Sequence, residues 1–192
     1  MRFAHAVRGT FTWSAPMIRP GQLSDLPAIA AIYAEAVRTG TASFELVPPD
    51  LAEMQARFEK AVSGGYPYLV AAAGNEVAGY AYAGPYRPRK AYAFTVENSI
   101  YVAPVWQGKG VGRALLNALI ADCENRGFRQ MIAVIGDSRN AGSIALHEKA
   151  GFTMIGTHRS VGRKFETWLD TIEMQKALGS GDRDDPPYEP EP

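Results

Sequence analysis

The segment from Ser99 to Arg113 most constrains what this chain can fold into. An apolar-rich run, Phe94 to Val102, has the character of a strand. A short turn follows, bearing the alternate glycines Gly108, Gly110 and Gly112, and Val111 to Arg126 then repeats with helical spacing until Gly127 stops it. Glycines allow positive φ and a close backbone approach. The free N–H groups and positive dipole end of the following helix favour a bound phosphate, and Lys109 and Arg113 add charge beside it. No Walker loop is present, and Arg113 stands where a dinucleotide fingerprint needs its last glycine. Glycine spacing alone leaves open a turn that merely lets a helix pack closely.

The rest of the pattern mixes strands and helices. Ser24 is placed to cap a helix with Leu26, Ile29, Tyr33 and Val37 on one face, and Pro27 falls in its first turn. Asp50 caps a second helix, with Glu53 at the capping-box position and an apolar stripe of Leu51, Met54, Phe58 and Val62. Tyr68–Ala73 and Val77–Tyr82 read as a hairpin turning at Gly74-Asn75. Met131–Ile135 is a wholly apolar strand of a sheet covered on both faces. A helix over 141–149 ends at Gly151, and strands near 153–159 and 167–174 close the pattern. The expected fold class is α/β (α+β): a mixed central sheet flanked by helices, antiparallel early with a βαβ unit in the middle.

With 192 residues, about half of them apolar, the chain can bury one sizeable core. One domain is expected over 17–178, with an N-terminal extension over 1–16 and a disordered tail over 179–192 that is rich in Pro, Gly, Asp and Glu. Lys plus Arg equals Asp plus Glu at 20 each, which gives no electrostatic case for nucleic acid or a membrane surface. No apolar run approaches a membrane span, and residues 1–16 lack the apolar stretch of a signal peptide. The lone Cys123 excludes an intrachain disulfide and suits a reducing cytoplasm. Mid-helix with no nearby His, it reads as core packing.

Gln107 to Gly112, with Asn140-Ala141-Gly142-Ser143 and His147 to Phe152, resembles the two cofactor motifs of the GNAT superfamily of N-acetyltransferases. Thr41 to Glu45, Gly79 to Arg87, Thr95 to Ser99, Ala133 to Gly136, and Val161 to Phe165 before Trp168 resemble its phosphinothricin and methionine sulfone acetyltransferase branch. The likeness spans roughly 18–178. It implies the GNAT fold, acetyl-CoA as co-substrate with no metal, and typically a homodimer. It also implies roles for particular residues. Backbone groups of Ile100, Tyr101 and Val102 would hold the acetyl-pantetheine end. Gln107, Gly108, Lys109, Gly110, Val111, Gly112 and Arg113 would form the pyrophosphate turn, with Asn140 on the pantetheine arm and Lys149 in the second motif. Phe44, Arg87, Arg89, Glu97, Asn98 and Ser99 would meet the acceptor.

Transfer to an amine needs a base for the ammonium, donors for the developing oxyanion and a proton for the departing thiolate. Glu97, on the strand entering the turn, is the candidate base; an exposed strand carboxylate is the alternative. His147 stands where many GNAT members carry Tyr, and the resembled branch has histidine there as well. It can act as base, acid or helix-face structural group, and the sequence does not decide. Arg87 can grip a carboxylate or phosphinate in bidentate fashion, while a solvated basic loop stays open for Arg89 and Lys90. The expected partner is therefore a small amino-acid-like molecule. A protein N-terminus, a polyamine or an aminoglycoside, or a non-catalytic acetyl-CoA sensor, are the competing readings.

Overall fold

The computed structural model describes residues 16–186 and 188. Of the N-terminal extension only Pro16 falls among them. In chain order the elements are β1 (Met17–Pro20), α1 (Leu26–Thr39), α2 (Leu51–Ser63), β2 (Tyr68–Ala73), β3 (Glu76–Pro85), β4 (Thr95–Val102), α3 (Val111–Asn125), β5 (Gln130–Gly136), α4 (Ala141–Lys149), β6 (Thr153–Lys164) and β7 (Thr167–Ala177).

Leu26, Ile29, Tyr33 and Val37 of α1 are all buried, as their spacing predicts. Ser24 is not the cap. It lies in a short 3₁₀ turn, and Asp25 precedes the helix. The Asp25 carboxylate serves Arg19 instead, through two bonds of 2.7 Å. Asp50 does cap α2, its Oδ1 accepting from the Glu53 amide at 2.8 Å. The reciprocal half of the box is replaced, because Glu53 Oε1 takes Arg57 Nε at 2.8 Å. Only Met54 and Phe58 of the α2 stripe are buried; Leu51 and Val62 stay exposed at its two ends.

The sheet order is β1-β2-β3-β4-β5-β7-β6, antiparallel throughout except β4 with β5. That parallel pair is the βαβ unit, with α3 as its crossover. It is joined over only four residue pairs, Thr95–Asn98 against Gln130–Ala133. Beyond them the two strands continue without pairing to each other, and a slot opens between them. One face packs α1 and α2 onto Tyr68, Val70 and Tyr80. The other packs Leu115, Leu116, Leu119 and Cys123 of α3 onto Val96, Met131 and Ala133. Burial pushes the Cys123 thiol up to about 12, as befits an inert core group.

β6 and β7 run further than the sequence pattern suggests. The β6 register breaks between His158 and Gly162, and Ser160 there has φ 54°, so the two-residue alternation is lost mid-strand. The C-terminal stretch read as disordered makes contacts over its described part. Arg129 bonds Ser180 Oγ, Asp184 Oδ1 at 2.6 Å and the Asp185 carbonyl at 2.8 Å. The Tyr188 ring lies 4.8 Å from that of Phe94.

Candidate active site

On the α3 face the glycine turn forms a groove of about 900 Å³. Gly108 and Gly110 have φ of 71° and 84°, and Gly110 stands at the start of α3 with no side-chain cap. A Cβ at either position would meet nothing within 4 Å, so glycine is required by backbone conformation and by what approaches from outside. The first amide with an intrahelical partner is that of Ala114, which donates to the Gly110 carbonyl. The Val111, Gly112 and Arg113 amides therefore remain for a ligand. Ile100, Val102, Gln107, Lys109, Arg113, Asn140 and Lys149 also line the groove. Three of the expected residues work less directly. The Val111 side chain lies in the core. Gln107 Nε2 braces the turn on the Val102 carbonyl at 3.2 Å. Asn140 Oδ1 caps α4 on the Ser143 amide at 3.1 Å. A diphosphate chain fits these groups: open amides, positive φ and flanking cations.

The groove continues into the slot between the splayed strands, about 70 Å³ walled by Ser99, Ile100 and Tyr101 on one side and Val134, Ile135 and Gly136 on the other. Tyr101 contributes backbone, for its ring packs against Tyr33 and Tyr80 on the opposite face. At the floor sits His147, buried, with Nδ1 donating to the Ser143 carbonyl at 2.8 Å. Its Nε2 lies 3.1 Å from Asn98 Oδ1, and the Asn98 amide donates to the Ile132 carbonyl at 3.4 Å. An imidazolium satisfies both ring contacts as drawn; turned over, the same amide would donate to a neutral ring. Burial holds the His147 pKa below its ordinary value, opposed by the Ser143 carbonyl.

Strand alternation puts Glu97 on the other face from Asn98 and His147. Glu97 is half-buried. Its pKa is raised, first by burial and then by the Glu173 carboxylate, while Arg87 opposes the rise. The Arg87 side chain is exposed, with its guanidinium 4.9 Å from the Tyr86 ring centroid and Nη2 bonding the Tyr86 hydroxyl at 3.4 Å. Arg89 is exposed and lines neither the slot nor the groove.

Phe44 lies in the α1–α2 connection, which is fixed at several points to the far end of the sheet. A Cβ on Gly136 would come within 2.7 Å of the Thr41 and Ala42 carbonyls, and one on Gly162 would strike the Phe44 ring. Asp137, itself at φ 67°, accepts from Thr41 Oγ1 at 2.8 Å. Lys164, buried, donates to the Ser43 carbonyl at 2.8 Å, and the Tyr33 hydroxyl meets Ser43 Oγ at 3.0 Å. Ala42 is thereby held at the mouth of both slot and groove. Ala42, Trp106, Ser143 and Leu146 line these spaces, and sequence reasoning gave them no role. Trp106 lies inside the glycine turn segment, Ser143 inside the second cofactor motif and Ala42 inside the Thr41 to Glu45 stretch, so a signal was present for these three.

The acetyltransferase (GNAT) family model matches residues 29–152, which hold the glycine turn, Glu97 and His147. The chain belongs to the GNAT family. A phosphinothricin N-acetyltransferase of Alcaligenes faecalis is 57% identical over 158 residues, 82% of this chain and 80% of that protein. An L-methionine sulfoximine/L-methionine sulfone acetyltransferase of Pseudomonas paraeruginosa is 46% identical over 162 residues, 84% of this chain and 94% of its own. A crystal structure of a GNAT superfamily phosphinothricin acetyltransferase from Sinorhizobium meliloti, in complex with AcCoA, superposes with a TM-score of 0.87 at 46% identity. It covers 89% of this chain and 92% of that one. The mixed seven-stranded sheet flanked by helices is thus the GNAT fold. Among the described residues no group of three or more His, Cys, Asp or Glu could hold a metal, and no helix is long and apolar enough to cross a membrane.

Proposed function

We propose that this GNAT enzyme moves an acetyl group from acetyl-CoA to the amino group of a small amino-acid-like acceptor of the phosphinothricin, methionine sulfoximine or methionine sulfone kind. One observation carries the reading: a glycine-built groove runs into a slot between β4 and β5, and the half-buried Glu97 stands on β4 next to Asn98, which lines that slot. The relatives' activities support the acceptor class. When bound, acetyl-CoA supplies an activated acetyl carbonyl. The amides at the start of α3 would hold its diphosphate, and the β4 edge left free by β5 beyond Asn98 would hold its arm.

Glu97 then takes one proton from the acceptor's ammonium and frees the nitrogen lone pair. Its raised pKa suits this, since a stronger base is the better acceptor if it is still ionised at neutral pH. His147 and Asn98 stand on the cofactor side, where a proton is needed for the departing sulfur. That division favours Glu97 as base and His147 as acid. Arg87 faces the acceptor's anionic group, which argues against polyamine and aminoglycoside acceptors.

Two wider features belong to the same proposal. The enzyme works in the cytoplasm, as the single cysteine suits, without nucleic-acid or membrane partners. It works as a homodimer, for which the exposed Val161, Phe165 and Trp168 around the β6–β7 hairpin offer an apolar contact. The deciding experiment is free-thiol release over a panel of amino acids and their sulfone, sulfoximine and phosphinate analogues, beside spermidine and an aminoglycoside. Turnover confined to the cationic amines overturns the acceptor assignment, and no turnover with any amine overturns the enzyme.

A further inference from the structure

Glu97 pairs across β4 and β5 with Ile132, and two residues further along β5 Val134 pairs with Glu173 of β7. Alternation puts all four side chains on one face. The two carboxylates are therefore diagonal neighbours across β5, their strands about 10 Å apart. Between them Val134 is 37% exposed, so this patch of sheet is open where α1 and α2 no longer cover it. Glu173 reaches into the same space as Arg87: the charges of both act on Glu97, and that of Glu173 acts on Arg87. From β6, His158 Nε2 stands 3.4 Å from Glu173 Oε1. The titratable and charged groups facing the patch are thus Glu97, Glu173, Arg87 and His158.

Two carboxylates held near each other without a cation between them repel, and each makes the other's ionised form less favourable. A monovalent ammonium between them relieves that repulsion. We propose that Glu173 and Glu97 form a two-carboxylate cradle for the α-ammonium of the acceptor, Glu97 receiving the proton and Glu173 acting as a positioning residue. The acceptor is then a zwitterion that enters as its ammonium form, its anionic end toward Arg87. One proton passes from nitrogen to Glu97; Glu173 neither gives nor takes one. This rests on the reading of the chain as an N-acetyltransferase with Glu97 as base.

The test is Glu173→Gln, with Glu173→Asp as the charge-preserving control. Removing the negative charge lets Glu97 ionise more readily. The acid limb of kcat/KM for methionine sulfone then moves to lower pH by about half a pH unit to one pH unit. KM for methionine sulfone rises about threefold to tenfold through lost attraction for the ammonium, while KM for acetyl-CoA stays put. Glu173→Asp keeps the acid limb near the parent's. Without turnover, the carbon-13 carboxyl signal of Glu97, assigned by its loss in Glu97→Gln, titrates at lower pH in folded Glu173→Gln. This measurement carries the test should the variant melt early. A Glu173→Gln enzyme with the parent's pH profile and acceptor KM overturns the cradle. The underlying reading fails separately, when Glu97→Gln retains the parent's turnover.

Discussion

The two faces of the sheet are built on different principles. On the α3 face, the proposed ligand contacts come mostly from backbone: a glycine turn, the open amides of a helix start and the β4 edge left free by β5, all within 99–113. Across the slot, the proposed contacts come from side chains gathered from far apart: Phe44, Arg87, Glu97 and Glu173. The difference has a physical root. A shared diphosphate chain can be met by main-chain dipoles that no side-chain substitution removes. A particular acceptor has to be met by charges at particular points. Substitutions on the first face should therefore act through conformation, and on the second through charge.

The sharpest break should come at Glu97. Glu97→Gln keeps size and most hydrogen bonds, and turnover should fall about 10²- to 10⁴-fold. Residual rate should climb with pH as free amine becomes available unaided, and acetyl-CoA binding should be untouched. A rate that falls with pH, or a larger loss in His147→Ala, would move the base across the sheet. Next, Arg87→Ala should raise the acceptor KM about ten- to a hundredfold, the worth of a charge-assisted hydrogen bond, against little change for acetyl-CoA. Equal effects on both constants would blur the division between the faces.

On the opposite face, acetyl-CoA at 100 times its Kd should stabilise the parent by about 2.7 kcal/mol. Gly110→Glu, which forces a side chain onto φ 84° and sets a carboxylate beside the phosphate site, should abolish that shift in a melting scan. Gly162→Ala should lower stability by about 1–3 kcal/mol through overpacking against Phe44, with a rise in acceptor KM alone.

The smallest effect concerns pH. The Arg139 guanidinium, then its backbone amide and Thr41, hold the Asp137 carboxyl well below the usual range despite burial. A depressed folded-state pKa gives stability that is present above the ordinary carboxylate range and lost as pH falls. The parent should therefore lose melting temperature between about pH 5 and pH 3 faster than Asp137→Asn does, by a few degrees at most since Arg139 is exposed.

The same contrast decides what could be read from the chain. The glycine turn, the α1 stripe, the Asp50 cap and the βαβ unit are local patterns, and the structure follows them closely. Ser24 failed as a cap because the site was settled by Arg19, which takes the Asp25 carboxylate into a 3₁₀ turn. The ends of β6 and β7 were hidden by the break at Ser160. The contacts that fix the α1–α2 connection span 96 residues from Thr41 to Asp137 and 121 from Ser43 to Lys164, beyond the reach of any periodicity. Glu173 sits in an ordinary-looking strand, and only the register brings it diagonal to Glu97.

One further consequence follows from the short parallel joint. Four rungs fasten β4 to β5 at one end, and the tethered α1–α2 connection spans the two halves at the other. The slot between is a gap mounted at both ends, so its width is set by the mount rather than by the walls. A longer acyl chain has to prise that mount open. The tolerance of such an enzyme for propionyl or larger groups becomes a question of mechanical compliance at Thr41–Lys164, measurable as amide-exchange rates across the connection, rather than of the residues that touch the chain.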